Sequence, residues 1–150
     1  MKQYKIYTAG KMGGLSFEKQ IEWRLSLERA VHNLMQYKEA NVQVCFVHPP
    51  LFYRYGENLH KSEREAMQWD INQIRDSAIV VVNLDQIESS VGTCMEMGYI
   101  EALNSMSTHH IYVIGIGNSK NHHPWITEIQ FRQEPNIDDA ARYIVDYLLL

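Results

Sequence analysis

Seven consecutive residues near the middle of the chain, Ala78-Ile79-Val80-Val81-Val82-Asn83-Leu84, narrow the possible folds more than any other feature. β-Branched side chains pack well on a pleated strand, and an apolar run without polar alternation needs cover on both faces. Those are the properties of a central strand in a parallel sheet, whose crossover helices lie above and below it. The flanking segments agree. Tyr4-Lys5-Ile6-Tyr7-Thr8-Ala9 reads as a first strand running into the glycine-rich turn Gly10-Lys11-Met12-Gly13-Gly14, and Val42 to Val47 and Ile111 to Ile116 are further strands.

Helical periodicity fills the gaps between these strands. A long helix is expected from about Ser16 to Glu39, with Leu27, Val31 and Leu34 on one face and Glu18, Glu22 and Glu28 on its polar side. Pro49 and Pro50 cannot donate to a sheet ladder, so a loop is expected from His48 to about His60. Ser62-Glu63-Arg64-Glu65 has the form of a capping box and opens a helix to about Arg75. Thr93-Cys94-Met95-Glu96 is a second such pattern, starting a helix to about Asn104. After a polar loop from Asn118 to His123, Trp125 to Ile129 forms a short helix. Ile137 to Leu150 is an amphipathic helix with Ala140, Ile144, Tyr147 and Leu148 on one side. Strands alternating with helices predict an α/β, doubly wound sandwich over residues 1–150, with a central parallel sheet of about five strands.

At 150 residues the chain fits one domain that buries roughly two-thirds of its unfolded surface. Its 45% hydrophobic and 21% charged residues are those of a folded globular chain. A net charge of −4 gives no general pull toward a nucleic-acid polymer. No apolar run approaches a membrane span and nothing resembles a signal peptide, so a reducing, cytoplasmic compartment is expected for Cys45 and Cys94.

Ligands of open α/β sheets bind at the carboxyl ends of the strands, which here means the loops Gly10 to Leu15, His48 to His60 and Asp85 to Thr93. Two carboxylates stand out near them. Glu96 falls in what the pattern makes the first turn of a helix, where the dipole favours the ionised form and suits a nucleophile. The same spacing is also satisfied by a plain cap on Thr93. Asp70 shares its helix stripe with Met67, Ile71 and Ile74, so it faces inward and needs a partner or a substrate. The Gly10–Gly14 turn can present N–H groups to an anion but matches neither a Walker A loop nor a dinucleotide fingerprint. Seven histidines occur, paired at His109-His110 and His122-His123, without metal-ligand spacing, and no metal site is expected. Cys94, at a predicted helix start, has the setting of a lowered thiol pKa, but a small residue packing under the sheet is the favoured reading.

The stretch Val91-Gly92-Thr93-Cys94-Met95-Glu96-Met97-Gly98-Tyr99 resembles the nucleophile motif of the nucleoside 2-deoxyribosyltransferases. Ile6-Tyr7-Thr8-Ala9-Gly10 is similar to that family's opening strand, and Trp69-Asp70-Ile71-Asn72 to its aspartate-bearing helix. Asp70 stands 26 residues before Glu96, as expected there, and the strand ending at Leu84 with Asp85 also fits. The resemblance covers about Lys5 to Gly115. It implies a flavodoxin-like fold, no metal or organic cofactor, and a homodimer or higher homo-oligomer whose subunits complete one another's sites.

By that resemblance Glu96 is the nucleophile, Tyr7 helps orient it, and Asp70 contacts the bound nucleoside. Gly10, Gly13, Asp85, Ser89, Ser90 and Gly92 are the expected substrate-binding positions. Two departures stand out. Ser90 occupies the place of a second aspartate that handles the departing base, and Asn121 to Trp125 shows no clear counterpart of the asparagine lent across the dimer. The related deoxynucleoside 5′-monophosphate N-hydrolases carry phosphate-binding serines near this place. The expected reaction is a retaining two-step displacement on deoxynucleosides with free base as acceptor. Hydrolysis of a deoxynucleotide is the alternative within the family. A non-catalytic nucleotide-sensing domain, and an unrelated flavodoxin-like protein, are the alternatives outside it. Phe52, Tyr53 and Tyr55 are candidates to flank the base.

Overall fold

The computed structural model describes residues 1–56, 59–118 and 122–150, with 54–56 as backbone only. Five strands, β1 (Lys2–Ala9), β2 (Val42–Val47), β3 (Ile79–Asn83), β4 (Tyr112–Ile116) and β5 (Arg132–Glu134), form one sheet in the order β2-β1-β3-β4-β5. Every pairing is parallel. The strand order turns back between β1 and β3, which marks the crevice where ligands of such folds bind. With helices on both faces, this is the doubly wound, flavodoxin-like α/β sandwich expected.

Ile79, Val80, Val81 and Val82 of β3 are all buried, as a run without alternation requires. Ile79 and Val81 pack with Leu27 and Val31 of α1 (Phe17–Tyr37) and with Ala140, Ala141, Ile144 and Val145 near the C-terminus. On the opposite face Val80 and Val82 meet a second set of helices. These are α3 (Glu63–Arg75) through Ile74, α4 (Val91–Met106) through Met97 and Ile100, and α5 (Pro124–Ile129) through Ile126. Burying each such side chain contributes about 1.5–3 kcal/mol, so the two cores hold the sheet rigid beneath its loops.

Several expectations are corrected. Between His48 and His60 the chain forms α2 (Pro49–Gly56). Prolines are tolerated in a first helical turn, where their missing N–H groups have no intrahelical acceptor. The helix bearing Glu96 starts at Val91, not Thr93, because Ser90 is its N-cap residue and Thr93 is buried within it. Met67 is exposed although Ile74 on the same helix is buried, so the apolar stripe of α3 is narrower than its spacing suggests. Strand β5 escaped the sequence because Arg132-Gln133-Glu134 has no apolar pattern; it is an edge strand held by β4.

The C-terminal helix α6 (Ile137–Tyr143) passes into a π-helical turn, Ile144–Leu149. The wider turn moves its buried positions to Ile144, Val145 and Leu149 and leaves Tyr147 exposed, against the α-helical spacing. Of the polar loop expected from Asn118 to His123, residues 119–121 lie outside the described residues.

Where β4 hands over to β5, Gly117 has φ +144 and its absent Cβ would stand 3.3 Å from Leu84 Cβ. Its N–H donates to the Glu134 carbonyl at 2.9 Å. Gly117→Ala should lower unfolding stability by about 1–3 kcal/mol through backbone strain at this joint. Urea denaturation checks this; an unchanged midpoint would remove the strain argument.

Candidate active site

Alternation along β1 sends Tyr7 and Ala9 to the face covered by α3 and α4, and Ile6 to the face covered by α1. Tyr7 is paired with Val47 of β2 and Val80 of β3, so its ring is held at the middle of the sheet and is 1% exposed. Its hydroxyl interacts with both Glu96 of α4 and Asp70 of α3. Tyr53 of α2 donates a short hydrogen bond to Asp70 Oδ2. Four elements therefore converge on two carboxyl groups. Glu96 Oε2 and Asp70 Oδ1 are buried and have no hydrogen-bond partner.

Burial and the nearby Asp70 charge push the Glu96 carboxyl up to about 7, against the lowering effects of the Tyr7 hydroxyl and the Arg24 guanidinium. Burial also raises Asp70, opposed by the hydroxyls of Tyr53 and Tyr7 and by His60. Both phenols are pushed up, Tyr7 and Tyr53 alike by burial first, so each stays protonated as a donor. The helix-dipole expectation for Glu96 is thereby overturned. With α4 starting at Val91 the residue is past the first turn, and desolvation outweighs the dipole. Cys94 is corrected likewise: burial pushes its thiol up, and its Sγ donates to the Ile87 carbonyl at 3.4 Å.

The other expected positions form a separate group. Lys11, just after Gly10, donates from Nζ to Ser89 Oγ at 2.8 Å and to Gln86 Oε1 at 3.1 Å. This ties the glycine turn to the 3₁₀ turn Ile87–Ser89. Gly10 is pressed between Trp23 and Asn83, where a Cβ would meet atoms at 3.1 and 3.2 Å, whereas Gly13 and Gly92 face open space. Asp85 is exposed; its N–H donates to Asn83 Oδ1 at 3.0 Å. Ser90 is turned away, donating to Thr93 Oγ1 at 2.7 Å in a buried pair. Lys11, Lys19, Trp23, Asn83, Asp85 and Gln86 line a cleft of about 440 Å³, and neither Tyr7, Asp70 nor Glu96 borders it.

Phe52 stacks on Trp69 at 3.7 Å between ring centroids, 9° from parallel, beside His60. The side chain of Tyr55 lies outside the described residues. Sequence reasoning missed two polar features. Arg24 is fully buried. It sits three residues before Leu27 on the apolar stripe of α1, a signal of the kind that singled out Asp70. His48 is also buried; its Nε2 lies 2.7 Å from Glu28 Oε2 and its Nδ1 2.9 Å from Thr8 Oγ1. Glu28 therefore does not belong to a purely solvated face. Among the described residues no group of three metal-ligating side chains converges, and no helix is long and apolar enough to cross a membrane.

Glu96 binds its proton more tightly folded than unfolded, with values of about 7 against 4.5. Its contribution to stability is thus most favourable at low pH and is lost as pH rises between those two values. Glu96→Gln should raise Tm by several degrees at pH 8, on the order of 2 kcal/mol, and the gain should vanish below pH 4.5. Calorimetry across this range checks it; a gain independent of pH would contradict the burial of an ionised Glu96.

No curated protein sequence matches the chain significantly. The family model for nucleoside 2-deoxyribosyltransferase matches residues 6–138, which contain the end of β1 with Tyr7, α3 with Asp70, and the whole of α4. The protein belongs to the nucleoside 2-deoxyribosyltransferase family, enzymes of glycosyl transfer on small nucleoside substrates.

Proposed function

We propose that the protein cleaves the N-glycosidic bond of 2′-deoxynucleosides with Glu96 as nucleophile and passes the deoxyribosyl group to a second nucleobase. The observation that carries this is the pair of carboxyl groups, each with one buried and unpartnered oxygen, beside a tyrosine that stays protonated. Buried carboxylate lone pairs without donors are costly, and a sugar ring supplies both hydroxyl donors and a centre that becomes cationic.

Ionised Glu96 attacks C1′, the C1′–N bond breaks, and the electron pair leaves with the base, which takes up a proton. The glycosyl ester is then opened by a ring nitrogen of the incoming base, which releases the proton that balances the one taken up by the departing base, and the carboxylate is regenerated. Asp70 holds the nucleoside through Oδ1 while Tyr53 fixes Oδ2. Repulsion between the two carboxylates disfavours the ionised empty site, and the developing oxocarbenium charge relieves it. That interaction is stronger in the transition state than in the ground state, which is what accelerates a reaction. Salvage of deoxynucleosides in a cytoplasmic setting fits the free thiols of Cys45 and Cys94.

One observation favours hydrolysis of a deoxynucleoside 5′-monophosphate as the second reading. Lys11 and Ser89 lie together beside the Gly10 turn, an arrangement suited to a phosphate, and Ser90 is engaged with Thr93 and cannot take over base handling as it stands. Chromatography separates the two. Incubated with thymidine and adenine, the protein should yield deoxyadenosine, and Glu96→Ala should lower that rate at least 1,000-fold. Free base released only from monophosphates makes the protein a hydrolase. Turnover retained in Glu96→Ala removes both readings.

For assembly we propose a homodimer through α4. Val91, Met95, Gly98, Ala102 and Met106 are exposed and recur at helical spacing, forming an apolar stripe beside Glu96. Analytical ultracentrifugation should give a dimer, and Met95→Asp should shift it to monomer. A wild-type monomer at micromolar concentration would overturn the assignment.

A further inference from the structure

We propose that His48 is a positioning residue for the Asp70 carboxylate: held between Glu28 of α1 and Thr8 of β1, it fixes where α2 begins and so sets Tyr53 against Asp70. The part that the Tyr53–Asp70 pair plays in turnover rests on the reaction proposed above; the clamp itself does not. His48 is the last residue before α2 and is 6% exposed. Its Nε2 lies 2.7 Å from Glu28 Oε2, and a carboxylate only accepts, so Nε2 carries a hydrogen. Burial holds the imidazole below its usual range, with Glu28 opposing and Arg24 adding to the effect, so Nδ1 is bare. Nδ1 accepts the Thr8 hydroxyl at 2.9 Å, and the same hydroxyl lies 3.2 Å from the Val47 carbonyl at the end of β2. Phe46 of β2 stacks on the ring at 5.5 Å between centroids, 28° from parallel.

The clamp falls where the backbone offers least. Pro49 and Pro50 have no N–H, so the first two positions of α2 cannot donate to the sheet or to α1. The first N–H of the helix is that of Leu51, and it donates to the His48 carbonyl at 3.0 Å. The residue whose side chain is fastened to α1 and β1 therefore also closes the first turn of α2. Tyr53 follows on the same helix and donates to Asp70 Oδ2. A continuous line of contacts thus runs from Glu28 and Thr8 through His48 and the first turn of α2 to Tyr53 and Asp70. Apolar side chains would fill this place without the cost of desolvating an imidazole and a carboxylate. What a satisfied polar network adds is a single arrangement.

Carbon-13 NMR of the tyrosine Cζ atoms in the substrate-free full chain reads the Tyr53–Asp70 bond, with the Tyr53 signal identified by its loss in Tyr53→Phe. His48→Leu removes both clamp bonds without stranding a partner, since the Glu28 side chain is 30% exposed and Thr8 keeps the Val47 carbonyl. It should move the Tyr53 signal toward that of free tyrosine and lower kcat/KM about tenfold. In a Tyr53→Phe background the same substitution should lower kcat/KM by less than about twofold. Glu28→Gln keeps an oxygen that accepts from Nε2 and should leave both readouts at their wild-type values. A Tyr53 signal left in place by His48→Leu, or an equal loss of turnover in both backgrounds, marks a merely structural histidine and overturns the proposal. Should His48→Leu fail to fold, Glu28→Ala removes one anchor from the solvent side and should move the same signal; a fixed signal there is equally fatal. A signal that moves as expected while Glu96→Ala retains turnover sinks the proposed reaction instead and leaves the clamp standing.

Discussion

The pairing of β1 with β3 sets the geometry on which everything at the carboxyl edge depends. Their register, Tyr7 with Val80 and Ala9 with Val82, is parallel, and β2 flanks β1 on its other side. Because the strand order turns back there, the segments leaving β1 and β3 run to opposite faces of the sheet, α1 to one and α4 to the other. The two-residue repeat of β1 then serves both faces at once. Tyr7 enters the carboxylate group, while its neighbour Thr8 meets His48 on the α1 side. Gly10 leaves little room for a side chain, because Trp23 and Asn83 both close on it.

On that frame the carboxylates are held against their own electrostatics. Glu96 and Asp70 are both raised by burial, and Glu96 further by its neighbour, so the folded chain carries an unfavourable term wherever both are ionised. The two hydrophobic cores outweigh it, each contributing a dozen buried residues that do not depend on pH. Most of that core lies away from the carboxyl groups, and Tyr7 joins the two, belonging to the second core while its hydroxyl meets Glu96 and Asp70. The same separation explains why the serine and lysine group at Lys11 and Ser89 can differ in role from the carboxylate pair: different loops carry it, fastened to one another and not to α3.

Much of this was legible in the sequence, and the parts that were not share a cause. Ala78 to Leu84 announced the central strand because its pattern is set by burial on both faces, a local property of composition. Asp70 was readable because a carboxylate on an apolar stripe is anomalous wherever the stripe packs. Strand β5 and helix α2 were hidden because neighbours impose them. Arg132 to Glu134 becomes a strand only by pairing with β4, and Pro49-Pro50 reads as a breaker until it is seen as a first turn. The start of α4 was misplaced by two residues for a related reason. Thr93 and Glu96 match a cap by spacing, but the turn Ile87–Ser89 delivers the chain so that Ser90 takes the N-cap position, its hydroxyl turned to Thr93 Oγ1. Tyr53 was read as a candidate to flank the base, but its bond to Asp70 lay beyond reach, since it joins α2 to α3 across 17 positions.

The misplacement of α4 changes the chemistry as well as the boundary. A glutamate in the first helical turn would be a stabilised anion, satisfied by backbone N–H groups and correspondingly reluctant to form a bond. Past that turn, Glu96 keeps Oε2 free of any donor. Its basicity is raised by Asp70 and restrained by Tyr7 and Arg24, so its protonation balance falls close to neutrality. A carboxylate in that state is more nucleophilic than a capped one and still ionised in a large fraction of molecules at neutral pH. The surrounding groups pull in opposite directions: the Asp70 charge raises the basicity of Glu96, while the Tyr7 hydroxyl and the Arg24 guanidinium lower it. Removing either side of the balance shifts that protonation, and four separate elements, β1, α2, α3 and α4, converge to hold the two carboxyl groups in it.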